Sequence, residues 1–268
     1  MIMKAFRVIC FILFLAALGF TIHSFLESRR LEPAPYYAVR EPRPVPAPQP
    51  VPVPAPEQDT EHPEEPEPEP EPRVLLPNII ELRDRYNNPD IIGYIHIPNT
   101  NISYPIAQTG NNVYYLYHNL HFERDRAGAV FLDYWNDFYD LTCDNFIVFG
   151  HNMRAGTKFH NVRYFARADY FRDRPFIYIT TPYEDTVWEI FSFFRTTTAF
   201  DYVIPQFPTR ESFYDFITFI QRSSLHSTDV VLTPYCQIVI LSTCGVNGGA
   251  DRYILVARLQ QNIEGMAG

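Results

Sequence analysis

One cysteine, one histidine and one arginine in this chain stand where buried strands are predicted to end. Cys244 closes an apolar run that begins at Gln237, and Arg252 opens the next such run. His151 follows a third run of this kind, Asn145 to Phe149. A thiolate attacks carbonyl carbon, an imidazole transfers protons, and a guanidinium stabilises a developing oxyanion. Together, the three side chains would be sufficient for acyl transfer through a covalent thioester.

Each of these residues also has an ordinary structural interpretation. Free cysteines are among the most buried residues, so Cys244 alone would be read as a core or disulfide cysteine. A lone histidine is usually a satisfied surface or core residue, and His160 is a weaker competitor for the role of His151. Arg252 has an adjacent acid, Asp251, as an obvious salt-bridge partner.

The loop between the last two runs favours a hairpin. Its sequence, GVNGGAD, contains glycines that permit positive φ angles. Two successive strands most simply pair antiparallel, which predicts that Cys244 and Arg252 lie at the same end of a sheet. An earlier strand of the same design, Asn145 to Gly150, ends at His151, and this third reactive group at a strand end favours chemistry over the structural interpretation.

The segments around the three residues resemble the motifs of the sortase family. LSTC (Leu241 to Cys244), GHNM (Gly150 to Met153) and RYILVARL (Arg252 to Leu259) are similar to the cysteine, histidine and arginine motifs of sortases. Upstream, DIIGYIHIPNTNISYPIAQ, YYLYHNL and AGAVFLDYWN resemble class B sortases in particular. The resemblance covers about residues 78 to 260, in order.

The resemblance implies a fold and an activity. The fold is mainly β: a sortase-like closed β-barrel of about eight strands with an N-terminal helix and a long helix before the cysteine strand. The activity is that of a cysteine transpeptidase without cofactor or metal. Cys244 would attack a peptide sorting signal in a surface protein, and Arg252 and loop N–H groups after the cysteine would hold the oxyanion. His151 would protonate the leaving amine. The acceptor would be an amine, such as that of a cell-wall precursor or a pilin lysine.

The resemblance also indicates residues of the substrate groove. Ser242 and Thr243 precede the nucleophile, and family members use residues there to shape the groove. The alternative is ordinary strand packing. Many relatives read YLNHD where this chain has YLYHN, so Tyr117 replaces a common asparagine. We therefore expect Tyr117 to alter the preference for the sorting signal.

Composition excludes several other classes of protein. The net charge is −9 and no basic stripe is present, which disfavours nucleic acid as a partner. None of the four cysteines lies in a pattern with zinc-ligand spacing, so no metal site is expected. Aromatic residues make up 16% of the chain and are interleaved with Val and Ile, which favours a β-rich domain.

The N-terminus predicts membrane attachment. Residues 1–7 contain Lys4 and Arg7 and are expected to be cytoplasmic. Residues 8–26 form an uncharged apolar run long enough for a separate transmembrane helix, interpreted as a signal anchor in preference to a cleaved signal peptide. The protein would then be a single-pass membrane protein with an extracytoplasmic catalytic domain.

Residues 27–77 predict an extended linker. Residues 33–77 hold 16 of the 24 prolines, first alternating with Val or Ala and then with Glu. Such a segment favours polyproline II, and about 40 residues at roughly 3.1 Å each give a spacer on the order of 100 Å. A role as a ligand for proline-binding domains is the alternative. The catalytic domain is assigned to residues 78–261 and a short tail to residues 262–268.

Hydrophobic patterns predict the elements of this domain. A helix is predicted from Asn78, the candidate N-cap, to Tyr86, and an amphipathic helix from Thr209 to Ser223. A first hairpin is predicted from Ile91–Ile97 and Ile102–Ile106. The remaining strands are expected at 129–133, 145–149, 176–180, 186–196, 237–242 and 253–259.

Equal spacing suggests a disulfide between Cys143 and Cys236. Each lies eight residues before a candidate catalytic residue, His151 or Cys244. The strands that follow them run parallel and adjacent in sortase-like barrels, so the resemblance would bring both thiols to one level. A disulfide there is plausible outside the cell.

Two other functions are compatible with parts of the sequence. A papain-like cysteine peptidase uses the same thiol and imidazole, but its cysteine lies early in the domain at the start of a helix. A non-catalytic surface module on a proline-rich stalk would retain the motifs as vestiges. A transpeptidase accounts for more of the chain than either alternative.

Overall fold

Eight β-strands close into a barrel in the computed structural model, which describes residues 73–245 and 249–260. The strand order around the barrel is β1-β2-β3-β4-β7-β8-β6-β5. The closed barrel and its number of strands confirm the prediction. The strands are β1 Ile91–His96, β2 Ser103–Ala107, β3 Val130–Leu132, β4 Asn145–Phe149, β5 Phe176–Thr180, β6 Asp185–Thr197, β7 Ile238–Cys244 and β8 Asp251–Leu259.

Every strand predicted from the sequence is present, with shifts at the ends. β1 and β2 form the predicted antiparallel hairpin, and Asn99 in its turn has a positive φ of 59°. Asparagine tolerates this left-handed conformation better than most residues, which suits the tight turn. The sheet extends two residues further at Cys244 and at Asp251 than predicted, because β7 and β8 continue to pair up to Cys244 and Arg252.

The centre of the sheet combines one parallel and one antiparallel pairing. β4 runs parallel to β7, with Phe149 opposite Ser242. β7 runs antiparallel to β8, with Cys244 opposite Arg252. The parallel pairing of β4 and β7 was expected from the resemblance and is confirmed. These three strands bring segments that are far apart in the sequence to one edge of the barrel.

Two hydrophobic cores lie on opposite faces of the sheet. The inner core fills the barrel with residues such as Phe146, Val148, Trp188 and Leu255. The outer core packs Ile147, Ile240, Ile254 and others beneath a helix. Neighbouring strand residues alternate between the cores because successive side chains point to opposite faces.

The helix before the cysteine strand covers the outer core. It spans Arg210–Arg222 and is called α4 below. Phe213, Ile217 and Ile220 are its buried residues, as the helical spacing predicts. Thr209 caps its first turn in a reciprocal capping box with Ser212. The element agrees with the predicted amphipathic helix.

The N-terminal helix, α1, spans Pro77–Tyr86 and starts one residue earlier than expected. Asn78 is not its N-cap; Leu76 occupies that position and Pro77 is the first helical residue. Proline is favoured there because its missing N–H would have no helical partner. Three short helices were not predicted: α2 Tyr114–Tyr117, the 3-10 helix Phe159–Ala166, and α3 Ala168–Arg172.

The predicted membrane anchor, residues 8–26, and the cytoplasmic residues 1–7 lie outside the described residues. So do almost all of the linker 27–77, of which only residues 73–77 are described, and the tail 262–268. In the described part of the chain, no helix combines the length and apolarity needed to cross a bilayer.

Candidate active site

Cys244 and Arg252 face each other at the end of the β7–β8 ladder. They are paired residues in register, as the predicted hairpin requires. Side chains two residues apart in a strand point to the same face of the sheet. Cys244 is an even number of residues from Ile238 and Ile240, which pack in the outer core, so its side chain lies on the outer face. Arg252 is two residues before Ile254, which is also in the outer core, so its side chain lies on the outer face as well. Cys244 is partly buried and Arg252 is 7% exposed.

His151 reaches the same edge from the neighbouring strand. It lies two residues beyond β4, and the preceding Gly150 donates its N–H to the carbonyl of Ser242 at 3.2 Å. Parallel strands end at the same edge, so His151 is brought to the level of Cys244. Phe149 belongs to the outer core, and alternation places His151 on the outer face with the other two residues.

A main-chain carbonyl orients the imidazole of His151. Its Nε2 lies 2.9 Å from the carbonyl oxygen of Leu116 in α2. A carbonyl only accepts hydrogen bonds, so Nε2 carries a proton. The neutral ring then has its lone pair on Nδ1, which leaves this nitrogen able to accept a proton.

The guanidinium of Arg252 is held by its own turn. Nη1 donates to the carbonyl of Gly249 at 2.7 Å and to that of Asp251 at 2.8 Å. The N–H of Gly245 donates to the same Asp251 carbonyl at 2.8 Å. We expected N–H groups of this loop to serve as oxyanion donors, but in this structure the first of them is used to close the turn. Residues 246–248 lie outside the described residues.

Gly245 is required by this close contact. A Cβ added there would lie 2.6 Å from the Cβ of Asp251, well below any normal separation. The absence of a side chain at Gly245 therefore allows the backbone after Cys244 to pass directly beside Asp251. The position of Arg252 depends on this tight turn.

The predicted groove residues occupy different environments. Ser242 is 3% exposed and its Oγ lies 2.7 Å from the hydroxyl of Tyr202. Thr243 is 3% exposed, and its Oγ1 finds no hydrogen-bond partner among the described residues. Tyr117 is 43% exposed and follows Leu116, which contacts His151. Of these three residues, only Tyr117 exposes a large part of its surface.

Contacts of Asn152, His160 and Tyr202 near this edge were not predicted from the sequence, although His160 was considered as a competitor of His151. The amide Nδ2 of Asn152 donates to the carbonyl of Cys244 at 3.0 Å. His160 lies 2.9 Å from the amide oxygen of Asn152 through its Nδ1. Burial, with a smaller contribution from Arg163, lowers the pKa of His160. Asn152 is part of the GHNM motif, but nothing in the sequence indicated that it contacts Cys244. No sequence pattern indicated that Tyr202 contacts Ser242.

The expected disulfide between Cys143 and Cys236 is not formed. The two segments do lie side by side, since the side-chain amide of Gln237 donates to the carbonyl of Cys143 at 2.9 Å. Both cysteines are free thiols. Cys143 belongs to the inner core, whereas Cys236 packs against the outer core. The two side chains therefore lie on opposite faces of the sheet, which equal spacing in the sequence could not reveal.

The described residues include no cluster of three or more His, Cys, Asp or Glu side chains able to hold a metal ion. This edge brings together a thiol, an imidazole with a fixed orientation, and a buried guanidinium. Their arrangement suits nucleophilic attack on a carbonyl followed by proton transfer to the leaving group.

Comparisons with known proteins agree with this chemistry. A family model described as the sortase domain matches residues 95–260, a range that contains His151, Cys244 and Arg252. Sortase B of Listeria monocytogenes is 36% identical over 167 residues, 61% of this chain and 67% of that protein. Sortase B of Staphylococcus aureus is 30% identical over 176 residues, 64% of this chain and 71% of that protein. A solved Staphylococcus aureus sortase B–substrate complex is similar with a TM-score of 0.66 and 26% identity, covering 70% of this chain and 87% of that chain.

Proposed function

This chain belongs to the sortase family as a class B cysteine transpeptidase, and from that premise we propose that it cleaves a sorting signal at Cys244 and transfers the acyl group to an amine. The signal would lie near the C-terminus of a surface protein. The acceptor would be the amine of a cell-wall precursor or of a pilin lysine. The observation that carries this proposal is the register of β4, β7 and β8, which brings three reactive side chains to one edge.

The proposed reaction begins when Nδ1 of His151 takes the proton of the Cys244 thiol, which leaves a thiolate. The thiolate attacks the scissile carbonyl carbon, and the negative charge that develops on the carbonyl oxygen is stabilised by Arg252. The protonated imidazole of His151 gives its Nδ1 proton to the leaving amine, and a thioester remains. The acceptor amine attacks this thioester and passes a proton to His151, the sulfur of Cys244 leaves, and the new amide is released.

The exposed ring of Tyr117 supports a role in signal selection. It lies at the end of α2, directly after the carbonyl that orients His151. Ser242 and Thr243 would support the groove from beneath, because both are almost completely buried. The substrate complex of the Staphylococcus aureus relative is consistent with a peptide signal as the substrate.

The proposed location follows from the N-terminus. The apolar residues 8–26 would anchor the chain in the membrane, and Lys4 and Arg7 favour a cytoplasmic end. The catalytic domain would then work outside the cytoplasm on a proline-rich spacer. The alternatives are disfavoured by geometry. A papain-like peptidase has its cysteine at a helix start, and a vestigial module has no need of a buried arginine opposite the thiol.

Peptide transfer by the full-length chain in detergent tests this function. We expect a library of sorting-signal peptides to give an amide product that forms only when an amine acceptor is present. The Cys244→Ala variant should lose this product completely. Cys236→Ala, at the other end of the cysteine segment, is the matched control and should retain wild-type turnover.

Two outcomes would overturn the proposal. Hydrolysis that no amine can divert into amide would indicate a peptidase. The absence of any product from the wild-type chain, with every peptide and acceptor tried, would favour a non-catalytic surface module. Mass spectrometry of the products distinguishes these outcomes.

A further inference from the structure

A single side chain connects the histidine segment with the nucleophile. Asn152 follows His151 directly, and its Nδ2 donates to the carbonyl oxygen of Cys244 across 92 positions of sequence. The contact joins the ends of β4 and β7, at the point where both catalytic residues leave their strands. Any movement of Asn152 would therefore change the position of Cys244 relative to His151.

His160 determines how Asn152 is oriented. Its Nδ1 lies 2.9 Å from the Oδ1 of Asn152, and an amide oxygen only accepts hydrogen bonds. His160 therefore carries a proton on Nδ1 and donates it to Asn152. Its Nε2 lies 3.3 Å from the hydroxyl of Tyr164, which serves as a donor to the remaining lone pair. The contacts of Asn152 with Cys244, of His160 with Asn152 and of His160 with Tyr164 are all satisfied when Nδ1 of His160 is protonated and Nδ2 of Asn152 faces Cys244.

The backbone between the two residues forms a closed loop. The N–H of Phe159 donates to the carbonyl of His151 at 2.9 Å, and Asn152 pairs with Lys158 in an antiparallel bridge. The 3-10 helix that begins at Phe159 is anchored by buried residues of the inner core. His160 is thus held on a rigid element while it contacts Asn152.

The contact with Asn152 fixes one side of a peptide group whose other side is also held. A peptide unit is planar, so the carbonyl of Cys244 and the N–H of Gly245 move together. Asn152 holds that carbonyl, and the carbonyl of Asp251 accepts the Gly245 N–H at 2.8 Å. The same Asp251 carbonyl accepts from Arg252. A continuous set of hydrogen bonds therefore leads from His160 through the nucleophile's peptide group to the guanidinium.

We propose that His160 is a positioning residue that acts through Asn152 to fix the Cys244–Gly245 peptide plane, and so aligns the thiol with the imidazole and the guanidinium. This inference rests on the proposed roles of Cys244 and His151. It adds a second histidine, which does not touch the substrate, to the machinery of the reaction.

Two substitutions of His160 separate positioning from simple packing. His160→Phe keeps the ring but removes the donor, and we expect turnover to fall about tenfold, since one hydrogen bond to a positioned group is lost. The KM for the peptide should stay within about twofold. His160→Asn replaces Nδ1–H with an amide N–H, and it should recover most of the turnover.

A double substitution tests whether His160 acts through Asn152. If it does, Asn152→Ala combined with His160→Phe should be no slower than Asn152→Ala alone, because the pathway is already broken. His226→Phe is the matched control: His226 donates to the carbonyl of Phe165 in the same 3-10 helix at 2.8 Å. It should loosen that helix and lower the melting temperature while turnover stays within about twofold.

A readout without substrate makes failure of this inference distinguishable from failure of the proposed function. The rate at which iodoacetamide alkylates Cys244, followed by mass spectrometry of the peptide that contains it, should change in His160→Phe and return in His160→Asn. Equal turnover in wild type and His160→Phe would overturn the inference. So would equal defects in the two His160 variants, or additive effects in the double variant. An altered alkylation rate in a chain that transfers no peptide would overturn only the proposed function.

Discussion

At the scale of single residues, Arg252 shows how a common side chain becomes part of a site. It is almost fully buried, and two main-chain carbonyls of its own turn hold Nη1. A guanidinium has five N–H donors in a rigid planar fork, so contacts to the turn fix the direction in which the group points. A lysine has the same charge but lacks the fork and its fixed direction.

Arg252→Lys should therefore lower turnover by about 10²- to 10³-fold while the barrel remains folded. The control is Arg195→Lys on the neighbouring β6, where the exposed guanidinium lies 5.6 Å from the ring centre of Tyr253. This variant should stay within about twofold of wild type. Steady-state kinetics with a sorting peptide and circular dichroism check both. Full activity in Arg252→Lys would show that charge alone is sufficient.

The sequence indicated the three candidate reactive residues better than the contacts of the residues around them. Cys244, His151 and Arg252 were recognisable because thiol, imidazole and guanidinium groups stood at strand ends and in familiar motifs. The contacts of Asn152 and His160 depend on how one loop folds back on another strand. Such contacts leave no periodic signal in the chain, and only coordinates reveal them.

At the scale of elements, the strands and the main helix were predictable from hydrophobic patterns. Alternation in β6 and apolar runs in β4, β7 and β8 reflect burial on one or both faces of a sheet. The 3-10 helix that carries His160 was missed because short helices of this type have little periodicity. Helix α4 was found because its apolar stripe and its capping residue agree.

The capping box of α4 gives a prediction at this scale. Thr209→Ala removes the acceptor for the N–H of Ser212 and should lower the free energy of unfolding by about 1 kcal/mol. Ser223→Ala, at the other end of the helix, loses only a hydroxyl that donates to the carbonyl of Phe219 and should change stability by less than about 0.5 kcal/mol. Urea denaturation measures both. Equal effects at the two ends would contradict the importance of the cap.

At the scale of the whole molecule, several ionisable groups are buried in their neutral forms. Burial raises the pKa of both Cys143 and Cys236 above the ordinary value of 9.0, and it raises the pKa of Tyr115 in the same direction. The unfolded chain loses these protons at lower pH than the folded protein does. Between the pKa values of the unfolded and the folded states, the folded protein binds more protons than the unfolded chain. The free energy of unfolding therefore falls as pH rises through this range.

We therefore expect stability to be fully retained below about pH 8 and to decline above about pH 9. Urea denaturation in the presence of a reductant at a series of pH values measures this. A Cys143→Ala, Cys236→Ala double variant should show a shallower decline, because both buried thiols are gone. The same slope in this variant and in wild type would indicate that neither thiol is responsible.

The parallel pairing of β4 with β7 also has a kinetic consequence. It pairs segments about 90 positions apart in the sequence, and β5, β6 and α4 lie in the chain between them. Contacts between such remote positions form slowly, because a large loss of chain entropy precedes them. The thiol of Cys244 therefore meets His151 and Arg252 only when nearly the entire barrel has assembled. If Cys244 reacts as proposed, a newly made polypeptide cannot form a thioester through most of its folding, and this ability appears late and abruptly.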